Sequence, residues 1–430
     1  MIAVVGGGIT GLATGFELDR IGADFVVLEA RDRPGGVIRS DVVDGSVLDW
    51  GPQRARLTAS LRRMIDALGL ESEVVTAPAD LDLYIYRAGR LRRLPFNVAR
   101  FAFSDVVSLG AKLRALAEPF TTEARPDERV ADFFTRKFGR ELYETVIGPL
   151  YGGLYASDPR NMEVGLSLIH VLREFGIGRS LLLRLLGRGG AIQAPPACSF
   201  TGGMQVLPDA LARSLGRRFR RRTPVRALTL GGGGWRVETD SGEVLEASDV
   251  VLTTPAPVTA GLLESIVPRT SSAIAQLRYN PLVVAHVRAD TDLRGIGFKV
   301  SFAEEDMLLT GVTFNESLFA REKLYTAYMG GARNPQVTSM SHEELSVRVL
   351  DEFRRTTGFE GRLLSLQHER MPAWDLSWRG LRDLDVPPGL HIAGNWWSRP
   401  GLPGRLAEAA SLVRKLGPEP VEVPPALVRG

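Results

Sequence analysis

Ile2-Ala3-Val4-Val5-Gly6-Gly7-Gly8-Ile9-Thr10-Gly11-Leu12 opens the chain and decides how the rest is read. Four apolar residues form a short buried strand, a glycine-rich turn follows, and Leu12 to Ile21 carries helical spacing. A second apolar run, Phe25 to Leu28, ends in the acid Glu29. Strand, G-x-G-x-x-G turn, helix, strand and acid make the dinucleotide-binding arrangement. Gly6 permits the tight turn, Gly8 lets the backbone approach a pyrophosphate, and Gly11 allows the helix to pack closely on the strand. Ile9 and Thr10 begin that helix, whose N-terminus offers unpaired N–H groups and a positive dipole end to phosphate. Glu29, followed by Ala30 and Arg31, is placed to accept hydrogen bonds from ribose hydroxyls.

The segments beyond this loop point to FAD as the cofactor. Arg33-Pro34-Gly35-Gly36-Val37-Ile38-Arg39-Ser40 sets a second glycine pair just after the acidic strand. There the backbone can approach a longer cofactor, and Arg39 can neutralise its charge. At the far end, Leu390-His391-Ile392-Ala393 reads as another short strand, followed by Gly394-Asn395 and a helix from about Pro403 to Leu416. A helix N-terminus aimed at the flavin pyrimidine stabilises negative charge on the reduced ring.

The bulk numbers fit such an enzyme. With 430 residues, 44% hydrophobic and 24% charged, the chain reads as a multi-domain globular protein. One cysteine, Cys198, excludes an intrachain disulfide and reads as a small buried hydrophobe. No stretch reaches the roughly 20 apolar residues that span a bilayer, and Leu94 to Leu109 is interrupted by Arg100 and Asp105. Met1 runs straight into the first strand without a charged leader, so a cytoplasmic location, at most peripheral on the cytoplasmic membrane, is expected. Arg213 to Arg226 holds seven arginines and no acid, with a single aromatic, Phe219, rather than the repeated interleaving of a nucleic-acid patch. That pattern reads as a solvated helix end leading into a strand, and no nucleic-acid partner is expected.

Between the two ends the chain changes character. The section from about Leu91 to Gly190 reads mostly helical, with Val107–Ala117, Val130–Phe138 and Leu166–Leu186 as its clearest stretches. Strand signals return at Val225–Leu230, Trp235–Thr239 and Val250–Leu252, and again at Leu282–Val287 and Leu324–Met329. The expected fold is α/β: a Rossmann-type FAD-binding domain interleaved with a mixed α+β substrate domain and a mostly helical domain. Residues 1–55, 200–257 and 388–417 are assigned to the first, 56–90 and 258–387 to the second, and 91–199 to the third. His170, His286 and His368 lack metal-ligand spacing and read as hydrogen-bonded structural histidines; no general base stands out.

The segments Val4 to Leu12, Arg33-Pro34-Gly35-Gly36 and Trp50-Gly51-Pro52 resemble the FAD-dependent amine oxidase superfamily. Within it, the chain is similar to the porphyrinogen oxidases of haem synthesis. The matching residues are Tyr84 to Leu91 with Leu94-Pro95, Pro149 to Pro159, Thr201 to Leu211, Ala393-Gly394-Asn395 and Gly401-Leu402-Pro403-Gly404. The resemblance implies oxidation of a porphyrinogen, protoporphyrinogen IX or coproporphyrinogen III, to the porphyrin. Oxygen would be the acceptor and hydrogen peroxide the second product. It also implies that Gly51, Pro52, Gln53, Val225, Trp374, Gly401, Leu402 and Pro403 join the FAD site, and that Arg56 pairs with a substrate propionate. The chain departs from the family at Met371-Pro372-Ala373-Trp374, where a Pro-Gln-Tyr pattern is usual.

The family's helical domain often sits on a membrane, and Gly178 to Arg188 is apolar and basic. It suits an interfacial helix and equally a core helix whose arginines reach solvent. Membrane contact and pairing into a homodimer stay open. An amine or polyamine oxidase is the first alternative, but the strand Leu282–Val287 lacks the lysine such enzymes place near the flavin. A carotenoid desaturase fits the quoted segments poorly. A flavin-binding protein without catalysis is the alternative from another class.

Overall fold

The computed structural model describes residues 1–174, 176–187, 195–382, 384–398 and 401–416. The fold is α/β. Its organising sheet has five parallel strands drawn from distant parts of the chain, in the order Phe219–Arg220, Phe25–Leu28, Ile2–Val5, Asp249–Leu252 and Leu390–Ile392. The central strands are buried on both faces, as their unbroken apolar runs require. On one face lie the helices Ile9–Arg20, Val206–Leu215 and Leu402–Leu416, joined to Val4, Val27 and Val251 through Leu12, Leu211 and Leu406. On the other face packs an antiparallel meander, Val225–Gly231, Gly234–Thr239 and Val244–Ala247. Its Trp235 fills the layer beneath Val250 and Leu252, and its indole N–H donates to the Pro388 carbonyl at 3.2 Å.

A second sheet has seven strands. Its order is Arg362–Pro372, Tyr279–Arg288, Leu324–Gly330, Leu309–Phe314, Gly297–Val300, Leu83–Arg87 and Arg90–Leu94. The pairing is antiparallel except between Gly297–Val300 and Leu83–Arg87. The helix His342–Thr357 covers one face, with Leu345, Val349 and Phe353 packed on Phe298, Val300, Ala327 and Met329. Because side chains alternate along a strand, Lys299 and Tyr328 stand on the opposite face.

Helices dominate between residues 98 and 187, but the reading of Leu166–Leu186 as one stretch is corrected. It divides into Val164–Ser167, Ile169–Glu174 and Leu181–Gly187. Gly176 takes the left-handed conformation, φ +61°, which ends the helical path. The last helix restarts on Glu118, whose carboxylate accepts from the Leu181 and Leu182 amides at 3.0 and 3.3 Å. The same carboxylate is paired with Lys137, and both side chains are fully buried. Arg188 lies outside the described residues. The arginine cluster follows the solvated reading: Arg218 pairs with Asp19, Arg220 with Glu243 and Arg226 with Glu238 on the surface.

Candidate active site

At the head of the parallel sheet two glycine loops meet. Gly6 has φ +110°, and a Cβ at Gly11 would collide with the Gly6 carbonyl oxygen, so the helix docks directly on the turn. Gly8 differs: around a Cβ built there, the nearest atom is the Gly36 Cα at 4.0 Å. The Gly35 amide donates to the Gly7 carbonyl at 2.8 Å and so ties the second loop to the first. Gly8 is also the N-cap of Ile9–Arg20; no side chain caps that end and no acid stands in its first turn. This combination suits a phosphate: free N–H groups, a positive dipole end and a backbone that can be approached.

The Glu29 carboxylate accepts from the Gly7 amide at 2.6 Å and the Arg31 amide at 2.8 Å. These two bonds leave lone pairs for a sugar hydroxyl. Thr223 donates its amide to the Glu29 carbonyl at 2.9 Å, which brings Val225 to this end of the site. Arg33 donates to the Ile38 and Gly36 carbonyls, each at 3.0 Å, and fixes the second loop. Burial, with Arg31 and Arg39 nearby, lowers its pKa. Val37 is exposed and Ile38 buried beneath it. Arg39 pairs with Asp41 and lies over the Trp50 ring. Nucleotide-binding backbone and surrounding positive charge together fit a dinucleotide cofactor.

The return segment is held by a residue that sequence reasoning missed. Arg405, nearly fully buried in the first turns of Leu402–Leu416, donates to the Gly394 carbonyl at 2.7 Å and the Ala393 carbonyl at 3.4 Å. Burial lowers its pKa to about 10. Gly394 has no room for a side chain, because a Cβ would lie 2.9 Å from the Thr254 carbonyl oxygen. Asn395 follows it, half-buried, and Gly401, with φ +89°, turns the chain into Leu402 and Pro403. Trp396 is fully buried and donates to Thr254, and Trp378 donates to the Trp396 carbonyl at 2.9 Å. Trp396 therefore fills the interface beside the sheet. Trp374, at φ +50°, stacks on Trp378 with ring centres 5.5 Å apart. Arg399 and Pro400 lie outside the described residues.

Between the two sheets runs Asp49-Trp50-Gly51-Pro52-Gln53-Arg54-Ala55-Arg56. A Cβ on Gly51 would strike the Val37 carbonyl, so Gly51 and Pro52 lie tight against the second glycine loop. Gln53 accepts from Asn315 at 3.0 Å and Thr326 at 3.1 Å. Asp49 pairs with buried Arg321 and accepts from the Met204 amide at 2.8 Å. His286 donates from Nε2 to the Asp49 carbonyl at 3.0 Å, while Nδ1 has no partner among the described residues. Burial lowers its pKa to about 4. Arg56 is exposed and donates to the Pro195 carbonyl at 3.0 Å. Cys198 is buried with its thiol pushed up to about 11, the state of an inert structural thiol.

Arg54 is different again. Its charge acts on Lys299 and Tyr328, which stand on the face of the seven-stranded sheet opposite the His342–Thr357 helix, and burial lowers its pKa. Burial, then the Arg54 charge, lowers Lys299 to about 8, and burial raises the Tyr328 phenol to about 12. Neither Arg54 nor Lys299 was singled out in the sequence, where 244 intervening residues hide their proximity.

The model of the flavin-containing amine oxidoreductases matches residues 9–410. The chain belongs to that family. It is an FAD-dependent oxidoreductase, and the uncapped helix end, the paired glycine loops and the Glu29 carboxylate offer the amide donors and the acceptor that such a cofactor requires. Among curated relatives, protoporphyrinogen oxidase 2 of Arabidopsis thaliana is 27% identical, over 92% of this chain and 89% of its own length. Coproporphyrinogen III oxidase of Bacillus subtilis is 24% identical, over 96% and 97%. The solved structure of a candidate protoporphyrinogen oxidase from Exiguobacterium sp. superposes with a TM-score of 0.78 at 22% identity, covering 96% of this chain and 98% of that one. Putrescine oxidase, with a TM-score of 0.74 at 18% identity over 96% and 98%, has the same fold.

Proposed function

We propose that this flavoenzyme oxidises a porphyrinogen, protoporphyrinogen IX or coproporphyrinogen III, to the porphyrin in haem synthesis, passing the electrons to O2 and releasing hydrogen peroxide. The supporting observation is similarity along nearly the whole chain to curated porphyrinogen oxidases of both kinds. FAD, when bound, supplies the two-electron acceptor for each of three successive oxidations, with O2 as its reoxidant. The chain's own share is to bind and orient. Its glycine loops and Glu29 hold the nucleotide, Arg405 sets the return segment, and the face carrying Arg54, Lys299 and Tyr328 lies toward the substrate. Positive side chains there suit carboxylate arms and disfavour the protonated substrate of an amine oxidase. Incubating the purified protein with each porphyrinogen under air should give porphyrin fluorescence well above the spontaneous rate. No excess with either substrate would remove the reading.

Two structural assignments go with it. We propose that residues 1–55, 200–257 and 388–417 work as the FAD-binding domain, with 56–90 and 258–387 enclosing the substrate. We propose also that the helical region, 91–199, rests on a membrane surface, as a peripheral contact of a cytoplasmic enzyme. Among the described residues no helix is long and apolar enough to cross a membrane. Phe103, Leu109, Leu113, Leu116 and Phe120 are nevertheless exposed on neighbouring segments, a larger apolar display than single surface residues make.

A further inference from the structure

We propose that His286 and Asn315 are positioning residues for the cofactor: from the seven-stranded sheet they clamp residues 49–53, and this segment holds the second glycine loop in place for the flavin. The inference rests on the FAD site and not on the porphyrinogen reading. The clamped segment is gripped from both sides. On one side Gly51 lies so close to the glycine loop that a Cβ would come within 2.2 Å of the Val37 carbonyl oxygen. Beside it Trp50 donates its amide to the Arg39 carbonyl at 2.9 Å and its indole N–H to Asp41 at 2.6 Å. On the other side stands the sheet. His286 is fully buried within Tyr279–Arg288, opposite Thr326 on the next strand. Along the other neighbour the ladder skips Leu364 beside His286, a β-bulge. Bulges of this kind re-aim side chains next to binding sites.

The clamp has two points. His286 donates from Nε2 to the Asp49 carbonyl at 3.0 Å, and its ring meets the Trp50 ring edge-on with centres 4.7 Å apart. Asn315, also fully buried, donates to Gln53 Oε1 at 3.0 Å, and the Thr326 hydroxyl is 3.1 Å from the same oxygen. Gln53 closes the segment on itself by donating its amide to the Asp49 carbonyl. Both lone pairs of that carbonyl are thereby used. Burial keeps the His286 ring neutral, with Arg321 and Asp41 the charges that act on it. A neutral donor fixes the carbonyl without the cost of a buried charge. Neither clamp residue hydrogen-bonds to a glycine loop among the described residues, so each acts through the segment between them.

The test needs no substrate, so the clamp and the porphyrinogen reading can fail separately. Flavin-loaded protein is diluted at about pH 8, where the ring is neutral, and the escaping flavin is followed by its fluorescence. His286→Leu should release it roughly 10-fold faster than wild type, the effect of one lost hydrogen bond. His286→Gln keeps an amide able to donate to the same carbonyl and should restore slow release. Asn315→Ala, at the other point, should also speed release. The double variant His286→Leu/Asn315→Ala should fall short of the product of the two effects, because both act on one segment. Val283→Ala, in the core on the opposite face of the same strand, should lower urea stability yet leave release unchanged. Wild-type release from either His286→Leu or Asn315→Ala would overturn the clamp. So would equally fast release from His286→Gln or Val283→Ala, since flavin retention would then follow stability alone. A fully multiplicative double variant would make the two points independent and end the shared-segment account.

Discussion

The parallel sheet and the face of the seven-stranded sheet that carries Lys299 and Tyr328 offer ligands two opposite kinds of surface. At the head of the parallel sheet almost everything offered to a ligand is backbone: the uncapped end of Ile9–Arg20, the tied loops at Gly8 and Gly35, and carbonyls fixed by Arg33 and Arg405. On the second sheet the groups that stand out are side chains: the Lys299 ammonium lies 5.9 Å from the centre of the Tyr328 ring, and the Arg54 charge acts on both. A backbone site fails when an atom is added. A side-chain site fails when a charge is removed, and keeps its fold.

That contrast can be broken by experiment. Gly11→Val pushes a side chain into the Gly6 carbonyl, and the purified protein should lose nearly all its bound flavin, read as visible absorbance per chain. Retained flavin would mean the loop tolerates bulk and the backbone account is wrong. The next effect concerns the seam between the two regions. Asp49→Asn leaves Arg321 buried without its partner and should lower unfolding stability by about 3–5 kcal/mol in urea. A loss under 1 kcal/mol would show the pair to be dispensable.

Acidification should weaken the same seam. His286 has its pKa lowered from the ordinary 6.5 to about 4 by burial. The unfolded chain therefore takes up a proton as pH falls through 6.5, while the folded one does not until about 4. Its contribution is complete above 6.5 and is lost on the way down, amounting to roughly 2 kcal/mol by pH 5. His286→Gln should flatten that part of the urea-stability profile, and an unaltered slope would count against it. The smallest effect lies outside both regions. Ser341 caps His342–Thr357 in a capping box with Glu344, and Ser341→Ala should cost about 1 kcal/mol without changing flavin content. A change in flavin absorbance would show that the outer helix communicates with the site.

The same contrast explains what could be read in advance. A backbone site writes itself into sequence as glycines at fixed spacing, so Gly6, Gly8, Gly11 and the pair Gly35-Gly36 were visible, and so were the strands that carry them. The helix Val130–Phe138 was legible from its apolar spacing and falls at those bounds. The break inside Leu166–Leu186 was not, because apolar residues continue through the turn and Glu118, which restarts the helix, is distant in sequence. Likewise Arg54, Lys299 and Tyr328 share no local pattern: strand register puts Lys299 and Tyr328 on one face, while Arg54 comes from a distant segment. Arg56 attracted attention from its place after Gly51, while the arginine two residues earlier is the enclosed one. Arg405 was hidden for a related reason: in sequence it is an ordinary helical arginine.

The strand order of the parallel sheet also bears on how the protein is made. Asp249–Leu252 pairs on one side with the first strand and on the other with Leu390–Ile392, which leaves the ribosome roughly 140 residues later. At ordinary synthesis rates that edge waits on the order of ten seconds with its hydrogen-bonding groups open. On the proposed FAD site, the cradle is complete only after Leu390–Ile392, Gly394 and Arg405 have been made. Flavin capture on that site would then be a late event, and a product truncated before Leu390 would leave the Asp249–Leu252 edge open.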